Sequence, residues 1–177
     1  MTQAPAVATT RVLAIDPSLR STGYAVLERI GPGKLRALTY GCIKNSPRML
    51  QSGCLVAIRE RVADLIAEHR PDCAAFEAII YVQSFRTAII MGCARGAALL
   101  AAAEKGLPIY EYAPRRVKQA IVGRGGADKN QVGFMVRAIL GLTENPSSDA
   151  ADALAIGMTH FQAAETINAG VGQLEQI

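Results

Sequence analysis

The chain has 177 residues, half of them apolar and 19% charged. That is enough apolar material for one hydrophobic core and too little charge for a disordered polyelectrolyte. The formal net charge of +4 is local: between Tyr110 and Arg137, Arg115, Arg116, Lys118, Arg124, Lys129 and Arg137 are set against Glu111 and Asp128 alone, and the remainder is neutral. Cys42, Cys54, Cys73 and Cys93 form no Cys-x-x-Cys pair, which argues against a structural zinc site and reads as reduced thiols in a cytoplasmic protein. Residues 1–10 have neither a basic leader nor a long apolar segment and read as a flexible tail rather than a secretory signal.

In chain order, Arg11–Ile15 is an apolar strand stopped by Asp16-Pro17. Thr22–Ile30 and Leu35–Ile43, joined by the turn Gly31-Pro32-Gly33, complete an antiparallel meander. From about Arg48 to His69 the apolar positions Leu55, Ile58, Val62, Leu65 and Ile66 follow a helical period, closed by Pro71. Asp72–Ile80 reads as a buried strand interrupted by one charge, Glu77. Phe85–Lys105 is a helix of small and apolar residues, and the Arg95 inside it makes a buried helix a better reading than a membrane span. Leu107–Tyr112 is a short strand, and Pro114 opens a helix to Val122. The glycine-rich basic loop 123–126 leads to two more helices, Asp128–Leu140 and Ser148–Ala164, and the chain from 166 onward reads as a frayed tail. The whole is one α/β domain over 11–165. Its five-stranded mixed sheet combines the meander with parallel strands added by right-handed crossovers, with helices on both faces.

Asp16 and Glu77 both fall near the carboxyl ends of their strands, where ligands collect in open α/β sheets. Asp149 and Asp152, at i and i+3, share one helix face. Each has an ordinary reading: a turn residue before proline, a buried ion pair, or acids complementing a helix dipole. Taken together, four carboxylates in largely apolar surroundings repel one another unless cations neutralise them. Oxygen-only ligands favour Mg²⁺, with Mn²⁺ as a substitute. The matching chemistry is phosphodiester hydrolysis with two metals about 4 Å apart. A basic segment beside such a site suits a polyanionic substrate: Arg115, Arg116, Lys118, Arg124 and Lys129 would grip the nucleic-acid backbone. The loop GRGGADK lacks the spacing and Lys-Ser/Thr pair of a Walker loop, so no nucleotide cofactor is expected.

Four blocks carry a family resemblance: AIDPSLRSTGYAV, the strand glutamate in AAFEAII, YEYAPRRVKQAIVGRGGADKNQV and DAADALAIGMTH. In this order and spacing, from about Arg11 to His160, the chain resembles the RuvC family of Holliday-junction resolvases. The resemblance implies an RNase H-like fold, a homodimer, partnership with a RuvA–RuvB branch-migration complex, and metal-dependent cleavage of four-way DNA junctions. By motif position it makes Asp16, Glu77, Asp149 and Asp152 the metal-binding carboxylates, with Lys118 and Lys129 facing the substrate and able to stabilise charge on the scissile phosphate. Two positions depart from the family pattern: Ser18 stands where the family writes glycine, and Ile80 stands where it often places an aromatic, with Tyr81 adjacent and able to contact DNA in its stead. The apolar helix near 87–103 becomes the expected dimer element, its two-fold symmetry matching paired symmetric nicks that leave 5′-phosphate and 3′-hydroxyl ends. Two other classes compete: a junction-binding module that does not cleave, and an actin- or sugar-kinase-like nucleotide binder suggested by the loop DPSLRSTG.

Overall fold

The computed structural model describes residues 10–80, 84–168 and 174–177. Three strands, β1 (Arg11–Asp16), β2 (Ser21–Gly31) and β3 (Lys34–Lys44), precede α1 (Gln51–His69). Then come β4 (Cys73–Glu77), α2 (Phe85–Glu104), β5 (Ile109–Tyr112), α3 (Pro114–Val122), α4 (Lys129–Leu140) and α5 (Ser148–Asn168). The sheet order is β3-β2-β1-β4-β5, antiparallel through the meander and parallel from β1 to β4 and β4 to β5. The element order and mixed sheet read from the sequence are therefore those of the molecule.

Alternation along the central strands builds two cores. Leu13, Ile15, Ala74 and Phe76 point to the side covered by α1 and α2; Val12, Ala14, Cys73 and Ala75 point to the side covered by α3, α4 and α5. Helix α1 buries Cys54, Ile58, Val62, Leu65 and Ile66 and stops where Arg70 takes a left-handed φ of 46° ahead of Pro71. Helix α2 buries an alanine face (Ala94, Ala98, Ala101, Ala102), and its Arg95 pairs with Glu111 of β5 at 3.0 Å. By length and composition α2 is apolar enough to cross a membrane. The ion pair to β5 and the alanine face packed in the core give it a place in this fold instead.

Three boundaries differ from the sequence reading. Strand β4 is Cys73–Glu77 rather than Asp72–Ile80. Its first expected residue, Asp72, instead accepts hydrogen bonds from the Thr10 and Arg11 amides at 2.8 Å each. Glu77 therefore ends its strand and does not interrupt it. Helix α1 begins at Gln51 rather than near Arg48, with no side-chain cap at Leu50. At the other end of the chain, α5 runs to Asn168, and Gln176 bridges Tyr110 while the Ile177 amide donates to Ile109 O at 3.1 Å. These last residues cover the open edge of β5, an edge that a lone strand would leave with unpaired backbone groups.

Candidate active site

The carboxylate cluster is assembled by strand register. Strands β1 and β4 are parallel neighbours with Ile15 opposite Phe76. Asp16 and Glu77 each come one residue later and so leave the sheet side by side at its carboxyl end. On the other flank, Asp16 is opposite Gly23 of β2. Glu77 aligns with Tyr112 of β5, whose carbonyl accepts from the Ala78 amide at 2.9 Å.

Helix α5 brings the other two acids. Its start lies directly on β2: a Cβ at Gly23 would sit 2.0 Å from the Asp149 carbonyl oxygen. Only glycine permits that approach. Beside it, Ser21 Oγ donates to Asp149 Oδ2 at 2.5 Å. The intervening Ala150 and Ala151 are buried, which lets the helix lie close to the sheet. One turn on, Asp152 Oδ2 accepts from Lys129 Nζ at 2.7 Å. Lys129 is set at the first turn of α4 by a capping box, in which Asp128 accepts from the Gln131 amide and Gln131 accepts from the Asp128 amide.

The electrostatics follow from that crowding. Asp16 is pushed up to about 7, first by burial and then by the charges of Glu77 and Asp152; Lys129 opposes the shift and Asp149 adds to it. Glu77 is raised by burial and by Asp152, against Lys129 and Lys118. Lys129 is raised, mainly by its hydrogen bond to Asp152, with burial opposing and the Asp152, Asp16 and Asp149 charges assisting. Four acids thus share the influence of two lysines, which leaves an excess of negative charge that a divalent cation would offset. The donors are all oxygen, as Mg²⁺ and Mn²⁺ require. Among the described residues no three His, Cys, Asp or Glu side chains already converge on one ion position. A bound cation would have to draw these carboxylates inward.

The loop after Asp16 is closed on itself. Thr22 Oγ1 donates to Ser18 O at 2.5 Å and accepts from the Ser18 amide at 3.2 Å, and Arg20 donates to Ser46 O and Met49 O. Among the described non-glycine residues only Arg70 has a positive φ. Ser18 needs no left-handed conformation, so its replacement of the family glycine carries no backbone strain.

A cleft of about 360 Å³ opens from Asp16 and Glu77 towards Ile80, Met91, Pro114 and Arg115. Ile80 is exposed on its rim; Tyr81, expected to contact DNA, lies outside the described residues. Lys118 is near enough to Glu77 for its charge to act there. Arg115 is exposed, its side chain packed against Gly125 of the basic loop. Arg116 instead stacks over the Tyr112 ring at 5.3 Å, and Arg124 is exposed in the loop between α3 and α4. The structure therefore brings Asp16, Glu77, Asp149, Asp152, Lys118 and Lys129 together, puts Arg115 on the adjoining cleft, and draws Arg116 towards β5. Ser21 and Gly23 were missed by sequence reasoning. The isolated glycine inside a strand pattern was the available signal for a close backbone approach.

Comparison with known proteins identifies the family. Residues 12–160 match the family model described as crossover junction endodeoxyribonuclease RuvC. The RuvC of Akkermansia muciniphila is 55% identical over 159 residues, 90% of this chain and 95% of that protein; the RuvC of Halorhodospira halophila is 47% identical over 151 residues, 85% and 89%. Thermus thermophilus RuvC in complex with a Holliday junction superposes with a TM-score of 0.85 at 38% identity, covering 95% of this chain and 99% of that one. The yeast mitochondrial Holliday junction resolvase shares the fold alone, with a TM-score of 0.69 at 13% identity. The fold is RNase H-like, and the chain belongs to the RuvC family of crossover junction endodeoxyribonucleases.

Proposed function

We propose that this endonuclease cuts four-way DNA junctions at the Asp16, Glu77, Asp149 and Asp152 cluster, with two divalent cations, Mg²⁺ or Mn²⁺, held among these carboxylates. The observation that carries the reading is Asp16: its carboxyl is raised to about 7 by burial and by three neighbouring acids. So expensive an arrangement in the free protein is accounted for by a ligand that removes the repulsion. Bound cations lower the pKa of an attacking water and offset charge developing on the scissile phosphate and leaving oxygen.

The chain's own groups divide the remaining work. Ser21 and Gly23 fix Asp149 against β2, while Lys129 holds Asp152 in position. Lys118 and Lys129 supply positive charge next to the reacting phosphate. Arg115 and Arg124, with Arg116 at the margin, hold the backbone of the junction arms, and Tyr81 takes the part of the family's stacking aromatic beside Ile80. In-line attack by water leaves 5′-phosphate and 3′-hydroxyl ends.

Paired symmetric nicks call for two copies. The outward face of α2 supports a homodimer: Phe85 is 92% exposed, Ile89 65% and Leu100 51% on a helix whose other face is already packed, and such a face needs a partner. Cooperation with a RuvA–RuvB branch-migration complex in the cytoplasm completes the reading.

The decisive assay offers a mobile four-way junction with Mg²⁺ to the wild type, Asp16→Asn and Glu77→Gln. The wild type nicks opposing strands symmetrically, and both variants bind without cutting. Equal cleavage by all three would sink the site assignment. Binding no tighter to junctions than to linear duplex would sink the junction reading.

A further inference from the structure

We propose that the groove beside Asp152, between α4 and the start of α5, is a second DNA subsite in which the Phe134 ring stacks on a base one or two nucleotides from the scissile phosphate. This rests on the reading of the carboxylate cluster given above, and it adds a contact on the side of that cluster away from Ile80 and Arg115.

Helix α4 has two faces of different purpose. Val132 and Val136 are buried in the core. The other stripe runs Lys129, Gly133, Arg137 at four-residue steps, with Asn130 and Phe134 alongside. On it, Phe134 is 67% exposed. A single exposed aromatic is ordinary on a protein surface, so position has to decide its meaning. Phe134 lines a groove of about 330 Å³ that starts at Lys129 and Asp152 and runs on to Arg137, Asn145 and Pro146. The groove thus reaches the carboxylate cluster at Asp152.

Its far wall is tethered rather than loose. Arg137 Nη1 donates to Asn145 Oδ1 at 3.2 Å and Arg137 Nε to Leu142 O at 3.3 Å, so the segment leading to α5 is held against α4. The small residues Gly133 and Ala151 keep the floor low. Along the stripe a cation, an aromatic ring and a second cation therefore follow one another.

That order selects a nucleic-acid strand over a protein partner. A strand presents phosphate and base in alternation, and bases of every kind stack on aromatic rings. Phe134 is five residues beyond Lys129, which is about 7.5 Å along the helix axis. At about 3.4 Å per nucleotide of a stacked strand, this rise corresponds to about two steps from the phosphate that Lys129 faces.

The test is a titration of four-way junctions carrying 2-aminopurine at the first or second nucleotide on either side of the cut, without divalent cation so that nothing is cleaved. The wild type quenches the probe at one of these positions on binding. Phe134→Ala and Phe134→Leu each lose that quench and weaken binding about tenfold with an unchanged salt slope, as stacking rather than phosphate contact requires. Phe134→Tyr keeps both properties. Because Phe134 is exposed, the variants melt with the wild type; should Phe134→Ala fail to fold, Phe134→Leu gives the same answer. Wild-type affinity and full quenching in Phe134→Leu, or a Phe134→Tyr as impaired as Phe134→Ala, overturns the subsite. A wild type that quenches the probe through Phe134 yet never cuts with Mg²⁺ keeps the subsite and removes the nuclease reading instead.

Discussion

Helix α5 takes part in two clusters of ionisable side chains, one buried and one half-buried. Towards its middle, His160 is fully buried, with Nδ1 2.8 Å from the Tyr112 hydroxyl and Nε2 3.3 Å from Cys73 Sγ. Burial pushes His160 down to about 4, with Arg29 adding to the effect, so the ring is neutral and each of its nitrogens has a partner inside the protein. At the start of the same helix, Asp149 and Asp152 join Asp16 and Glu77, where burial and mutual repulsion raise Asp16 to about 7. The first cluster is satisfied by the fold, and the second is not. A polar group kept for architecture is neutral and bonded internally, whereas one kept for chemistry is left with a charge that only something outside the chain can complete.

The largest test of this contrast is at the acids. Asp16→Asn and Glu77→Gln each lower junction cleavage by about 10²–10³ or more, measured as single-turnover rates. Without divalent cation the same Asp16→Asn change stabilises the protein. The native carboxyl holds its proton up to about pH 7 against an ordinary value of 3.8. The contribution of Asp16 to the metal-free fold is therefore lost progressively as pH rises from about 4 to about 7, and stays lost above, by up to the order of 2–4 kcal/mol. Thermal melts in chelator at pH 5 and pH 8 should show a larger loss towards pH 8 in the wild type than in Asp16→Asn, where Glu77 and His160 still titrate.

Next in size is Lys129→Ala, which removes the charge paired with Asp152. Cleavage slows by about tenfold or more, and the dependence of junction binding on log salt becomes shallower by about one. A wild-type rate with an unchanged slope would remove this lysine from the site. Gly23→Ala comes third. The new methyl meets the Asp149 carbonyl and costs about 1–3 kcal/mol as overpacking. The cleavage rate of the molecules that remain folded falls as well, because the start of α5 must lift.

The smallest effect on chemistry falls at His160, and there the comparison can be broken most directly. His160→Ala leaves the Tyr112 hydroxyl and Cys73 without the ring and costs about 1–3 kcal/mol of stability. The rate per folded molecule stays within about threefold. Since the native His160 value is depressed from 6.5 to about 4, its contribution to stability falls as pH drops through that interval, opposite in sign to that of Asp16, and is read as the difference between the wild type and His160→Ala. If this variant abolishes cleavage while remaining folded, the two clusters are not separate after all.

Much of this was legible from the sequence because it depends on local signals. Proline after Asp16 ends a strand, an apolar period of 3.6 marks α1, and a charge within CAAFEAII stands out in any window. The handedness of the crossover did not fix that β1 and β4 are neighbours; the structure shows that pairing, and it brings Asp16 to Glu77. What stayed hidden depends on contacts far apart in the chain. Ser21 meets Asp149 across 128 residues. Gln176 pairs with Tyr110 across the sheet edge, and nothing in the composition of the last residues announces it. Arg116 could not be told apart from Arg115 until the Tyr112 ring was placed beneath it.

Gly157 has a bearing on the site it never touches. A Cβ there would fall 2.7 Å from Leu27 Cδ1 and 3.2 Å from the Ala14 methyl. Together with Gly23 it lets α5 rest on the sheet at two points along its length, at one of them backbone against sheet. At Gly23 the gap between the acids of the helix and those of the strands is thus a mechanical dimension, set by the main chain of Asp149, while at Gly157 the helix rests on the Leu27 and Ala14 side chains. Adding a single carbon at either glycine acts as a shim, tilting the helix and changing the separation of Asp149 and Asp152 from Asp16 and Glu77.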